Sequence, residues 1–257
     1  MFISRGECAG NQDDTQVWGS VPQTTLFTEF RIDSQQNNNI YVVLNLDHAL
    51  RALRSIKSAK NITMRLTKKS NQAYLTLDFR IDLSEGEVAL SQDIPVRTLQ
   101  AAEVDAISEP VTNPTVQIMM PVLKDLKPII DRMQKIGTEI DVEANMNRTL
   151  IFKVSDPSGV VDVATYFKNQ EHPHSLRDEE GGEANNFNVD IVPQRSTPDE
   201  QVSVTLRVEA KKLQKVMHAH IVTPRAVVLG MMRDTCMVVH VDAGDGAYLT
   251  YYLSVIA

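Results

Sequence analysis

The chain has 257 residues, 42% of them apolar and 23% charged, with a formal net charge of -7 at pH 7. This suits one large or two ordinary domains of a soluble globular protein, and the acidic balance excludes non-specific nucleic-acid binding by the surface as a whole. There is no run of about 18 apolar residues for a membrane helix and no secretory leader pattern, and two cysteines, Cys8 and Cys236, are too few for a disulfide framework and read as free thiols.

In chain order, Phe2 and Ile3 read as part of a strand followed by a polar loop through Asp14, then strands at Thr15 to Val21 and Leu26 to Ile32. Ile40 to Leu44 is a strand. Asn45 is an N-cap for a helix over Leu46 to Ala59, with Leu46, Leu50, Leu53 and Ile56 on one side. Strands follow at Ile62 to Lys68, Tyr74 to Asp82 and Glu87 to Val96. In the second of these, Leu75, Leu77, Phe79 and Ile81 alternate with polar residues, the pattern of a sheet with one packed face. Residues 97–114, with prolines at 110 and 114, read as a connector between domains.

Thr115 to Met146 reads as strand, helix, strand. Leu123, Leu126, Ile130 and Met133 form the helix stripe, Gly137 is a stop signal, and Ile140, Val142, Ala144 and Met146 point inward on the second strand. Pro128 inside this helix costs about 3 kcal/mol or forces a kink. Strands Thr149 to Asp156 and Val161 to Lys168 flank the turn Asp156-Pro157-Ser158-Gly159. Residues 170–200 carry eight acids against Arg177 and Arg195 and read as a mobile acidic loop. The chain closes with strand Val202 to Val208, helix Ala210 to His220, and strands at 226–232, 235–242 and 247–256. The plan is three strand-helix-strand-strand-strand units behind a headless remnant of a fourth.

Charge is segregated by element. The helices at 46–60 (Arg51, Arg54, Lys57, Lys60), 121–137 (Lys124, Lys127, Arg132, Lys135) and 210–220 (Lys211, Lys212, Lys215) together carry +8, which leaves -15 for the rest of a chain of net charge -7. Three basic helices on an acidic chain point to a polyanion, met through phosphate contacts that need no base recognition. No nucleotide-binding, hydrolase or metalloprotease motif is present, and no cofactor is expected. A metal-dependent enzyme would have to use His172 and His174 or His218 and His220, but i,i+2 histidines on a helix diverge by about 200°. Ser34-Gln35, Ser91-Gln92 and Thr197-Pro198 are dipeptides that kinases could modify.

The stretches LFTEFRI (26–32), IYVVLNLDHALRAL (40–53), QDIPV (92–96), MPVLKDLKPIIDRM (120–133), VEANMNRTLIFKV (142–154), VATYFK (163–168) and YLTYYLSVIA (248–257) resemble, in collinear order, the Hus-type subunit of the heterotrimeric 9-1-1 checkpoint clamp, within the PCNA-like sliding-clamp family. The resemblance implies an α+β fold with antiparallel sheets outside and basic helices inside. It implies clamp domains at 1–96 and 115–257, an interdomain connecting loop at 97–114, and a non-enzymatic nuclear protein. The expected partners are two paralogous clamp subunits, double-stranded DNA, a clamp loader, and repair and checkpoint proteins, with no membrane.

On this resemblance the basic residues of the three helices line a hole around DNA, and edge strands with Val88, Leu90, Ile94, Val96, Val161, Val163, Thr165 and Phe167 meet neighbouring subunits. A homotrimeric replication clamp and a DNA-independent adaptor are the alternatives. The family's first strand and helix, roughly 30 residues, have no counterpart before Phe2. At about 1.5–3 kcal/mol for each of about four apolar side chains, the expectation is a weakened first domain with an exposed apolar sheet face.

Overall fold

The computed structural model describes residues 2–5, 15–34, 38–84, 86–105, 107, 109–173, 203–233 and 235–256. Cys8, His174, Thr197-Pro198 and nearly all of the acidic insertion, named above, lie outside the described residues. The elements are β1 (Phe2–Arg5), β2 (Gln16–Ser20), α1 (Gln23–Leu26), β3 (Val42–Leu44), α2 (Leu46–Ser55), β4 (Lys60–Lys69), β5 (Gln72–Leu83), β6 (Gly86–Thr98), α3 (Ala101–Asp105), β7 (Val116–Met119), α4 (Leu123–Met133), β8 (Glu139–Asn145), β9 (Thr149–Ser155), β10 (Asp162–Phe167), β11 (Ser203–Glu209), α5 (Ala210–Met217), β12 (Ala226–Met232), β13 (Cys236–Gly244) and β14 (Ala247–Ser254). The three strand-helix-strand-strand-strand units are thus β3-α2-β4-β5-β6, β7-α4-β8-β9-β10 and β11-α5-β12-β13-β14.

Two compact units result, and they divide the chain differently from the expected 1–96 and 115–257. Residues 1–28 join 110–257, and residues 29–109 stand as the other unit. The cause is strand pairing: β2 lies antiparallel to β14, with Trp18 opposite Thr250, and β1 extends that ladder. The expected strand at Leu26 to Ile32 is absent. Pro22 instead precedes the helical turn α1, which Phe27 N–H closes on Gln23 O at 2.9 Å.

In the unit built on 110–257, the two repeats exchange strands. The strand before each helix pairs with the first strand after the other helix: β7 with β12, and β11 with β8. This gives a six-stranded sheet, β1-β2-β14-β13-β12-β7, and a four-stranded sheet, β10-β9-β8-β11. The stripe Leu123, Leu126, Ile130 and Met133 on α4 and Leu213, Val216 and Met217 on α5 are buried in one core with Ile118, Ile140, Phe152, Leu229 and Leu253. The helix continues through Pro128, because four buried side chains at about 1.5–3 kcal/mol each exceed the proline's cost of about 3 kcal/mol.

Gly137 is needed for space rather than for a left-handed stop. A Cβ there would lie 2.7 Å from Ser155 O and 2.8 Å from Val154 Cγ2. Gly137→Ala is therefore expected to lower stability by about 1–3 kcal/mol through forced displacement of β9, read as a lower urea midpoint at unchanged slope. The turn between β13 and β14 does need left-handed backbone, with φ of 82°, 51° and 74° at Gly244, Asp245 and Gly246.

In the 29–109 unit the sheet order is β3-β6-β5-β4. Ser70 and Asn71, at φ 46° and 67°, make the two-residue turn that fixes the β4–β5 register, Lys69 opposite Gln72. Asn45 caps α2 as expected, its Oδ1 accepting from the N–H groups of Asp47 (2.9 Å) and His48 (3.2 Å). The helix is shorter than Leu46 to Ala59, because Ile56 leaves helical geometry at φ -94°, ψ 2°. Only Ala52 of α2 is buried, against Leu77, Phe79 and Ile94. Leu46, Leu50 and Leu53 are 63%, 47% and 56% exposed, as are Ile62, Met64 and Leu66 of β4 to similar degrees. Apolar side chains of α2 and β4 are thus left exposed in this unit.

Candidate nucleic-acid interface and sheet edges

The cations of α4 and α5 share a helix pair whose buried faces are set by the core just described. On α5 the buried positions are Ala210, Lys212, Leu213, Val216 and Met217, so Lys211 and Lys215, four residues apart, stay on the exposed side. Lys212 does not. It is 8% exposed, and its Nζ donates to Ser254 Oγ at 2.7 Å and lies 3.1 Å from Glu209 Oε1. Its stem runs inward along the core to reach the last strand, which corrects its assignment to the DNA-facing set.

On α4, Lys124 and Arg132 are exposed, and Lys135 is exposed just beyond the helix. Lys127 is half-buried and donates to Asp131 Oδ2 at 2.6 Å, so its charge is largely compensated. Gln214 Nε2 donates to the other oxygen of Asp131 at 2.7 Å, tying α5 to α4. The Lys127 hydrogen bond first, and then that of Gln214, hold the Asp131 carboxyl below the usual carboxylate range. Charge counting could not show this link, since it depends on two helices 83 residues apart in sequence.

In the other unit, Arg51 and Arg54 are exposed on α2, and Lys57 is exposed in the turn after it. Lys60, expected at the helix end, is the first residue of β4 and ion-pairs with Asp82 across the β4–β5 ladder. The Asp82 hydrogen bond pushes the Lys60 ammonium above its ordinary range. That change of element follows from the early end of α2.

Among the described residues, the two strands that carry the named edge residues, β6 and β10, both present open edges, as do the other strands that end a sheet, β1, β3, β4, β7 and β11. β6 pairs with β5 along its length but with β3 only from Val96 to Thr98, so residues 86–95 leave one side unpaired. β10 pairs only with β9. Of the named edge residues, Val88 and Leu90 are about two-fifths exposed and Val161 is exposed, whereas Ile94 and Val96 are buried. Ile94 packs against Ala52, Leu77 and Phe79. As a correction, then, Ile94 can offer a neighbour only backbone, because its side chain fills its own unit, and Val96 is buried and already paired on both sides, with Leu44 and Ala73. Val163, Thr165 and Phe167 are half-buried, and Phe167 packs edge-to-face on Phe152 at 6.1 Å.

Among the described residues no cluster of three or more metal-ligating side chains occurs. Both ring nitrogens of His172 already face backbone carbonyls, and His220 Nδ1 lies 2.8 Å from Met217 O. Cys236 is half-buried, and burial pushes its thiol up, away from the reactive thiolate.

A family model described as Hus1-like protein matches residues 1–257. The chain is 31% identical over 247 residues to the checkpoint protein hus1 homolog of Dictyostelium discoideum, covering 95% of this chain and 82% of that one. It is 29% identical over 247 residues to checkpoint protein hus1 of Schizosaccharomyces pombe, covering 93% and 83%. It is also 29% identical over 160 residues to human checkpoint protein HUS1, covering 61% and 56%. The strand-helix repeats, the antiparallel α+β build and these matches agree, and the chain belongs to the Hus1-like family of PCNA-like clamp proteins.

Proposed function

We propose that this chain acts without catalysis as one subunit of the heterotrimeric 9-1-1 ring, which encircles double-stranded DNA at damage sites in the nucleus and supports checkpoint signalling and repair. Membership of the Hus1-like family supports the clamp role. The observation that bears most directly on DNA contact is the exposed cation set Lys124, Arg132, Lys211 and Lys215 on two helices packed together, with Lys135 just beyond α4. The open edges of β6 and β10 supply unpaired backbone for sheet extension into two different neighbours. In the ring these helices meet phosphates, and the loader and repair proteins act on its outer surface.

Co-expression with the two paralogous clamp subunits is expected to give a 1:1:1 complex on size exclusion; a persistent monomer or a self-assembled trimer would count against the proposal. For the assembled ring, replacing Lys124, Lys211 and Lys215 by alanine should flatten the dependence of log K for DNA on log salt by up to about 0.9 per lost phosphate contact. Lys212→Met, which keeps the buried stem, should leave that slope unchanged. An unchanged slope in the triple variant would leave a scaffold that binds proteins but not DNA.

A further inference from the structure

Between α4 and α5 runs a polar seam that divides the exposed cations into two rows. Lys127 and Asp131, one turn apart, lie on the flank of α4 that meets α5, and Gln214 lies on the flank of α5 that meets α4. Lys124 and Arg132 are exposed on the α4 side of the seam, and Lys211 and Lys215 on the α5 side. Both oxygens of the Asp131 carboxylate are engaged in the seam. Oδ2 accepts from Lys127 Nζ at 2.6 Å, and Oδ1 accepts from Gln214 Nε2 at 2.7 Å. The side chains of Lys127 and Asp131 are 28% and 31% exposed, so the pair lies at the surface, within reach of a polyanion.

Helix building does not account for this acid. In the last turn of α4 a carboxylate opposes the helix macrodipole, which favours cations there; an acid that serves the helix stands in the first turn, as Asp125 does. The order of the pair, with lysine N-terminal to the acid, is also the weaker one at four-residue spacing. What the position does supply is a fixed counter-ion. Gln214 holds the carboxylate from the other helix, so Asp131 stays beside Lys127, and its charge repels any phosphate that approaches the seam.

We propose that Asp131 withholds Lys127 from DNA, acting as a built-in brake on the grip of the helix pair. The inference rests on the reading of α4 and α5 as DNA-facing helices. It assigns the phosphate contacts to the two outer rows and leaves a neutralised lane between them. The duplex is then held by fewer contacts than the cation count implies, with a correspondingly shallower salt dependence.

The assembled 1:1:1 ring on double-stranded DNA tests this through the salt dependence of binding, which counts phosphate contacts rather than helix stability. Asp131→Asn keeps the shape of the side chain and an oxygen for Gln214. The freed Lys127 is expected to add about one phosphate contact, so that the loss of affinity between about 50 and about 200 mM salt becomes about 3.5-fold larger than in wild type. Adding Lys127→Gln to that variant should abolish the increase, and Lys127→Gln alone should leave the wild-type dependence unchanged. If Asp131→Asn behaves as wild type while the alanine variant of Lys124, Lys211 and Lys215 flattens the dependence, the brake is overturned and the DNA-facing reading stands. A triple variant without effect removes both. Should Asp131→Asn not assemble, Lys127→Gln decides by itself: an unchanged dependence supports the brake, and a flatter one overturns it, because Lys127 would then already meet phosphate.

Discussion

Ile130→Ala is expected to destabilise the 110–257 unit by about 2–5 kcal/mol, whereas Leu50→Ala should change stability by no more than about 0.5 kcal/mol. Both residues sit in apolar stripes of basic amphipathic helices. Ile130 is fully buried among Leu126, Met133, Phe152 and Met217, so its loss leaves a cavity in a core closed by two helices and two sheets. Leu50 is 47% exposed, on a helix that covers its sheet only through Ala52 and its neighbour Ile56. Urea melts of the two variants against wild type check the pair. A large loss for Leu50→Ala would mean that an unseen partner surface covers α2 in solution. Leu50→Glu should also raise solubility, because Leu46, Leu50 and Leu53 form an exposed apolar patch of the kind that drives association.

The second large effect concerns assembly. Proline cannot donate to a ladder, and along antiparallel β10 successive N–H groups alternate between β9 and the open side. Of Ala164→Pro and Thr165→Pro, one therefore strikes the β9 ladder and loses stability, by about 3 kcal/mol or more if the proline ring also clashes. The other leaves that ladder whole and blocks the open edge. The expected result is one variant that folds like wild type by circular dichroism yet no longer joins the 1:1:1 complex. If the well-folded variant assembles normally, sheet extension through β10 is wrong, and contact must run through side chains such as Tyr166, which is 57% exposed. The same logic applies to β6 over residues 86–95, where Val88 and Leu90 are the exposed large apolar side chains.

The sequence alone determined what depends on neighbours within a few residues. The four-residue stripe of α4, the inward set Ile140, Val142 and Ala144, the Asn45 cap, the Ser70-Asn71 turn and the three-fold unit plan all match the structure. Periodicity and turn chemistry are local, so they can be read from the chain, and the collinear motifs carried the family. Tertiary structure decided which of those surfaces found a partner. The stripes of α2 and α4 read alike, but only α4 has a second helix, α5, to close its core. Lys212 counts as one more cation in the sequence, yet its position beside Ser254 turns it inward. Residues 1–28 read as the start of the first domain, but β2 found its ladder on β14, more than two hundred residues away. Burial and strand pairing need surfaces brought together from distant segments. Composition and period describe only the surface each segment offers.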